Sequence, residues 1–241
     1  QCPVFLWLWD YMYDMGIPEW HVQMASAADL YLTNEYGIRD LYKGMGVTKT
    51  YYFPFDVCDG DLFTYHIPDS KHSVVFFGSC LEQGHRIEWL KKINEKIHVT
   101  CFSWNPEEWK KHGLEAYPAV YGNEFNQKVA DSQIILGFSV NPDCWGYWSN
   151  RVGKVLKAGG CLLYEYAPGM ELMVGDAMDY FSSPEEAVEK IQFYLDHPEE
   201  RMSLMEKARN IGDRFTSKER VKQLMLLCER YLKNKGASWD F

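Results

Sequence analysis

Residues 146–171, GYWSNRVGKVLKAGGCLLYEYAPGME, place a cationic helix, a glycine pair, a buried strand and a turn in immediate succession. Gly159 and Gly160 end the helix, and the apolar run after them is typical of a parallel strand that is covered on both faces. Ligands of open α/β sheets gather at the carboxyl ends of such strands. The stretch therefore predicts a unit of an α/β domain whose final turn lies near a ligand.

The start of this helix is a candidate anion site. Arg151 and Lys154 lie one turn apart, just behind Ser149 and Asn150. A helix start offers unpaired backbone N–H groups and the positive end of the helix dipole. An ordinary helix with solvated cations gives the same pattern, so spacing alone leaves both interpretations open.

Working outward, the chain alternates strands and helices in two series. The first predicts strands at residues 3–9, 29–33 and 49–53, with Asn34 capping the second intervening helix. The second series begins at Ser73 with the apolar strand SVVFFG. Its further predicted strands are 97–102, 133–138, 161–164 and 178–181, and residues 117–123 are predicted to form a loop. The last predicted helix is 217–233. Its residues predicted to face the core are Val221, Leu224, Leu227 and Leu232.

The two series predict an α/β fold with two Rossmann-like units. Residues 54–72 contain two prolines, a glycine and four aspartates and break all periodicity, so they separate the series. The predicted division is a partial N-terminal Rossmann-like region at 1–57, a linker at 58–72, a Rossmann-like domain with a parallel sheet at 73–216, and a C-terminal helix and tail at 217–241.

Composition excludes several classes of partner. The 241 residues carry a formal net charge of −9, which repels nucleic acid and anionic membranes. No apolar run approaches the roughly 20 residues of a membrane span. Seven scattered cysteines without a C-x-x-C pair are typical of reduced thiols, so we expect a cytoplasmic protein. Asp56, Asp59 and Asp61 lack the closing glutamate of a calcium loop, so no metal site is predicted.

Signatures of hydrolases, kinases, metalloenzymes and dinucleotide-binding enzymes are absent. Strand ends and helix starts remain as candidate ligand residues, and as a set they suit a nucleoside diphosphate, with Arg151 on the diphosphate and an aromatic face on the base. Glu171 can accept hydrogen bonds from hydroxyl groups. For each aromatic side chain, core packing is the alternative. The candidates are Gly78, Ser79, Trp104, Tyr121, Trp148, Ser149, Asn150, Arg151, Lys154, Gly169, Met170 and Glu171.

Four ordered segments resemble the C-terminal, donor-binding domain of GT-B glycosyltransferases, in the group-1-like branch that includes spore-maturation-protein-like transferases. They are VVFFGS, VYGNEFNQKVADSQIILGFS, GYWSNRVGKVLKAGGCLLYEYAPGMELM and SSPEEAVEKIQFYLDHPEER. The resemblance implies that a sugar is transferred from a nucleotide-diphosphate sugar to a glycan, lipid or protein acceptor, without a metal or other cofactor. Arg151 and the glycine pair fall on the family's motif.

The chain departs from the family's pattern in two places. Lys154 stands where many members have a glutamate that holds the ribose; a lysine cannot accept hydroxyl hydrogen bonds, but it can contact phosphate. Only about 55 residues precede the linker, which is short for a full domain. The catalytic base is therefore unassigned. Asp10, Asp14, His21 and Glu35 have suitable chemistry.

Two alternatives to a transferase stay open. One is a non-catalytic module that binds a nucleotide-sugar or glycan and needs a partner chain for chemistry. The other is a phosphosugar-processing enzyme that shares only the fold.

Overall fold

The computed structural model describes residues 3–8, 17–34, 36–54, 72–80, 85–140, 142–147 and 149–233. Within these residues the chain forms two parallel β-sheets with helices, which confirms the predicted α/β class. Nearly all of the predicted linker at 58–72 lies outside the described residues, so the division into domains stays a prediction.

The first sheet is built from the three strands of the first series. They lie in the order β1-β2-β3 and all run parallel, with Leu6 opposite Tyr31 and Tyr31 opposite Thr50. The β-α-β-α-β order predicted from the sequence is therefore confirmed. The elements are β1 Phe5–Leu8, α1 Glu19–Ala27, β2 Leu30–Thr33, α2 Ile38–Gly44 and β3 Thr50–Tyr52.

The second sheet has six parallel strands in the order β6-β5-β4-β7-β8-β9. The order reverses direction between β4 and β7, and ligands of open α/β sheets bind in the crevice outside such a reversal. The strands are β4 His72–Phe77, β5 Thr100–Ser103, β6 Glu115–Pro118, β7 Ser132–Gly137, β8 Leu162–Glu165 and β9 Asp179–Phe181.

Helices cover both faces of this sheet, because its strands are apolar on both sides. Phe125 of α5 and Val152 of α6 pack on one face, and Leu90 of α3 and the fully buried Trp109 of α4 pack on the other. The helices are α3 Arg86–Asn94, α4 Pro106–Lys111, α5 Gly122–Ala130, α6 Asn150–Lys157, α7 Met170–Val174, α8 Pro184–Asp196, α9 Pro198–Gly212 and α10 Ser217–Lys233.

Helix α10 follows the second series in the chain but packs on the first sheet. Leu227 and Tyr231 are buried against Leu30 and Leu32, and the Tyr231 hydroxyl donates to Asp29 Oδ1 at 3.1 Å. A three-stranded sheet covers only a narrow stripe of a helix. The predicted core positions Val221 and Leu232 are therefore wrong, since both are exposed.

Two further local predictions are wrong. The predicted loop at 117–123 begins with strand β6, which lies at the sheet edge and ends at Pro118, where a missing N–H is tolerated. The cap of α2 is Gly37 rather than Asn34, because the chain makes a further turn before the helix begins.

Candidate functional site: a cationic cavity at the sheet edge

A cavity of about 810 Å³ opens at the carboxyl ends of strands β4, β5 and β6, where the starts of α5 and α6 close it. Seven residues proposed from the sequence meet there, although the chain carries them on separate strand ends and helix starts. They are Gly78, Ser79, Trp104, Tyr121, Asn150, Arg151 and Lys154. The other lining residues are Phe77, Phe102, Ser103, Ala119, Val120, Gly122, Phe125 and Asn126.

The start of α6 forms one wall of the cavity. Ser149 caps this helix, with its Oγ accepting from the Arg151 amide at 3.4 Å. Val152 and Val155 face the core, so the three-residue offset leaves Arg151 and Lys154 on the cavity side. The wall thus combines a helix N-terminus with two cations.

The described residues that line the cavity include two cations and no carboxylate, in a chain whose net charge is −9. Within the described part of the chain, neither Arg151 nor Lys154 forms an ion pair with an acidic side chain. Burial lowers the pKa of Arg151. Cations that are partly removed from water without a counter-charge favour the binding of an anion.

Gly78 is required for close packing at the end of β4. A Cβ there would lie 2.5 Å from Phe76 Cζ and 3.2 Å from Arg151 Nη2. Its backbone is held by the Phe102 carbonyl, which accepts from the Gly78 amide at 3.0 Å, and by the Trp109 indole, which donates to the Gly78 carbonyl at 3.0 Å. The missing side chain thus leaves room for the guanidinium at the sheet edge.

Arg86 is a functional candidate that sequence reasoning missed. It lies in the first turn of α3, is only 6% exposed, and donates from Nη1 to the Ser79 carbonyl at 3.4 Å. Burial and the nearby charge of Arg151 lower its pKa to about 10. Its buried Nε has no hydrogen-bond partner among the described residues. The sequence did contain a signal for Arg86. Like Arg151, it is an arginine at a predicted helix start that follows a predicted strand, in this case the strand that ends at Gly78 and Ser79.

Both arginines lie close to the Phe76 ring. The guanidinium carbon of Arg86 is 5.7 Å from the ring centroid and that of Arg151 is 5.6 Å from it. Two like charges therefore lie near each other at the starts of two helices, and Arg151 is the one that is among the residues lining the cavity. Such a pair is stabilised when an anion lies between its members.

A second polar cluster lies across the reversal in strand order. Glu165, at the end of β8, is buried; its Oε1 contacts His85 Nε2 and its Oε2 accepts from the Ser139 amide at 3.1 Å. Burial raises the pKa of the Glu165 carboxyl, and His85 and the Ser139 amide oppose that shift. These residues are distant in sequence, so no local pattern indicated their contact.

Trp104 and Tyr121 present aromatic faces to the cavity from its outer side. They are 76% and 73% exposed, so core packing does not account for either side chain. The Trp104 indole Nε1 donates to Ser79 Oγ, which fixes one edge of the ring. Exposed aromatic rings beside a cationic cavity are suited to stacking on a planar ligand group.

Among the other proposed ligand residues, those that the structure describes do not line the cavity, and Trp148 lies outside the described residues. Ser149 acts as the helix cap. Met170 is fully buried in the core, and Gly169 takes a φ of 89° where a Cβ would lie 2.8 Å from Trp145 Cε2. Glu171 is exposed on α7.

Of the four candidate bases, Asp10, Asp14 and Glu35 lie outside the described residues. His21 is buried on α1, where its Nδ1 lies 3.3 Å from the Tyr42 hydroxyl, and burial lowers its pKa. This environment is typical of a residue that packs within the fold.

No metal-binding cluster of three or more His, Cys, Asp or Glu side chains occurs in the part of the chain that the structure describes. Asp56, Asp59 and Asp61 are not in that part. Among the described helices, none is both long and apolar enough to cross a membrane.

The strand order, the cavity at the reversal and the second, smaller parallel sheet define the GT-B class of α/β proteins. A family model described as glycosyl transferase-like matches residues 85–226, more than half of the chain. The chain therefore belongs to the glycosyl transferase-like family. No curated protein matches this sequence at a significant level.

Solved structures show the same fold at low sequence identity. HepE of Anabaena, solved with UDP and glucose, is 13% identical with a TM-score of 0.67, covering 95% of this chain and 71% of its own. Sucrose-phosphate synthase of Thermosynechococcus elongatus is 11% identical with a TM-score of 0.68, covering 93% and 64%. A glycosyltransferase of Rickettsia africae is 12% identical with a TM-score of 0.65, covering 90% and 68%. The chain thus spans 64% to 71% of the length of these proteins.

Proposed function

We propose that this chain binds a nucleoside-diphosphate sugar in the cationic cavity and transfers the sugar to an acceptor hydroxyl. The observation that carries the proposal is the pair Arg86 and Arg151, which lie near each other at the starts of α3 and α6 and form no ion pair with a carboxylate among the described residues. A diphosphate supplies the missing negative charge, and guanidinium groups bind its oxygens in a forked geometry.

The nucleoside lies on the outer side of the cavity in this proposal. Trp104 and Tyr121 offer exposed rings for the base, and stacking on such rings contributes about 1–3 kcal/mol per base. HepE, which shares the fold, was solved with UDP and with UDP-glucose. We therefore take UDP as the first probe.

The remaining predicted ligand residues keep narrower proposed roles. The amides at Ser149 and Asn150 bind a phosphate at the start of α6, beside Trp148, and Lys154 contacts a phosphate oxygen rather than ribose hydroxyls. Gly169, Met170 and Glu171 shape the sugar side of the site, and Glu171 accepts hydrogen bonds from hydroxyl groups.

Catalysis would rest on positioning the donor and acceptor and on stabilising the departing diphosphate. We propose that the cations do this without a metal, so a chelator such as EDTA should leave donor turnover unchanged. A cytoplasmic setting is also proposed, because four of the described cysteines are buried, as is typical of reduced thiols.

The test begins with a thermal-shift panel of UDP-, GDP-, ADP- and TDP-sugars, since a ligand that binds only the folded state raises the melting temperature. Calorimetric titration with UDP then compares wild type with Arg151→Ala. Loss of charge-assisted hydrogen bonds of about 1.5–3 kcal/mol predicts about 10- to 150-fold weaker binding.

Lys91→Ala is the matched control for this titration. Lys91 is exposed on α3, and its removal changes the net charge by the same amount. We expect its affinity for UDP to stay within about twofold of wild type, because exposed charges contribute little. Equal affinity of Arg151→Ala and wild type would disprove the proposed diphosphate site.

A further inference from the structure

The contact between His85 and Glu165 has a geometry suited to holding one imidazole proton in place. When Glu165 is ionised its Oε1 can only accept, so the contact then places a proton on His85 Nε2. The Ser139 amide donates to the other carboxylate oxygen at 3.1 Å, which fixes Glu165 in turn. The orientation of the ring is therefore set by a buried, anchored partner.

The second ring nitrogen of His85 remains available. No residue in the described part of the chain forms a hydrogen bond with Nδ1, and the side chain is about one-third exposed. The ring packs against Trp89, with centroids 4.3 Å apart, which limits its rotation. A histidine held in this way presents one polar atom outward in a fixed direction.

The strand order places His85 relative to the cavity. The nucleoside side of the cavity covers the ends of β4, β5 and β6, whereas Ser139 and Glu165 follow β7 and β8, on the other side of β4. Neighbouring strands lie about 4.8 Å apart. With the nucleoside placed on the side of β5 and β6, as proposed above, a diphosphate that passes over the end of β4 has its terminal phosphate toward β7 and β8. His85 contacts Glu165 on that side and directly precedes Arg86.

We propose that His85 binds the terminal phosphate of the nucleoside diphosphate with both ring nitrogens protonated, the second proton being taken up from solvent. Nε2 then donates to Glu165, the positioning residue, and Nδ1 donates to the phosphate. This inference rests on the proposed donor site. It assigns to His85 the distinction between a diphosphate and a monophosphate. A donor at this position also stabilises the charge that develops on the departing diphosphate.

The chain contains a matched control pair. His98 Nε2 lies 2.9 Å from Glu115 Oε2, but this pair stands at the opposite edge of the sheet, before β5 and at the start of β6. It has the same chemistry without access to the cavity. His98→Gln therefore controls for the loss of a histidine–glutamate contact.

The first measurement is calorimetric titration of the full chain with UDP and with UMP. We expect His85→Gln to weaken UDP binding about 10- to 100-fold, the range for a charge-assisted hydrogen bond, and to change UMP binding less than about twofold. His98→Gln should change neither. Equal loss for UDP and UMP in His85→Gln would mean that the ring supports the fold only, and would overturn the proposal.

The second measurement is the long-range ¹H–¹⁵N spectrum of the histidine rings, with His85 assigned from His85→Gln. Addition of UDP should shift the His85 Nδ1 resonance, whereas UMP should not, and the His98 signals should stay unchanged. Glu165→Gln, which keeps the shape of the side chain, should alter the His85 tautomer signals before UDP is added. If UDP binds in an Arg151-dependent manner and His85 does not respond, the inference fails while the donor site stands. If UDP does not bind at all, both fail.

Discussion

Replacement of Arg151 by methionine should stabilise the unliganded protein while it weakens the binding of UDP. Arg86 and Arg151 lie close to the same Phe76 ring and repel each other when no anion is present. Methionine removes the charge and retains an unbranched apolar side chain against the ring. If Arg151 contributed only to the fold, its replacement would instead destabilise the unliganded protein.

The expected magnitude follows from the geometry. Each guanidinium carbon lies less than 6 Å from the ring centroid, at 5.7 and 5.6 Å, so the two carbons are within about 11 Å of each other. At that separation two unit charges repel by about 1.5 kcal/mol with an effective dielectric constant near 20. The lost cation–π contact offsets about 0.5–1 kcal/mol. The net gain is on the order of 0.5–1 kcal/mol, which corresponds to a rise of about 1–4 °C in melting temperature for a chain of this size.

The assay is thermal unfolding without ligand and with saturating UDP, in low salt and in about 0.5 M NaCl. Arg151→Met should melt above wild type without ligand, and the difference should shrink in high salt because the repulsion is screened. With UDP the order should reverse. Lys91→Met, which removes an exposed cation from α3, should match wild type in each condition. An unliganded Arg151→Met that melts several degrees below wild type and still binds UDP normally would refute the reasoning.

Two further predictions concern the aromatic wall and the packing beneath the site. Trp104→Ala should weaken UDP binding by about 1–3 kcal/mol in a calorimetric titration, because stacking on the base is lost. Trp20→Ala, which removes an exposed tryptophan from α1, should leave UDP binding unchanged. Equal effects of the two substitutions would contradict a role of Trp104 in binding the base. Gly137→Ala should lower the free energy of unfolding by about 1–3 kcal/mol, because its Cβ would lie 2.2 Å from Tyr164 Cδ2. The control is Gly44→Ala, where no atom lies within 4 Å of the new Cβ, so the free energy of unfolding should stay unchanged or rise by up to about 1 kcal/mol. Identical melting temperatures of the two variants would show that the contact with Tyr164 does not determine the stability.

Most elements of the fold were predictable because their signals are local. Helix α8 begins at Pro184 behind the cap Ser183, whose Oγ accepts from the Glu186 amide at 3.1 Å, as the sequence Ser-Pro-Glu-Glu indicates. Strand β6 was missed because an edge strand lacks the continuous apolar run of a central one. Val221 and Leu232 were misplaced because helical periodicity identifies an apolar stripe but not the width of the surface that it meets.

The candidate site also has one part that the sequence predicts and one part that only the tertiary structure shows. The sequence by itself determined the cationic start of α6, since Ser149 caps the helix and the three-residue spacing of Arg151 and Lys154 fixes a common side. It also supplied the family resemblance through four ordered segments. Only the tertiary structure decided that Arg86 joins Arg151 and that His85 meets Glu165, 80 residues further along the chain. The physical reason is that strand order, not chain order, determines which carboxyl ends become neighbours, and residues 146–171 carry no information about the strand that lies beside them.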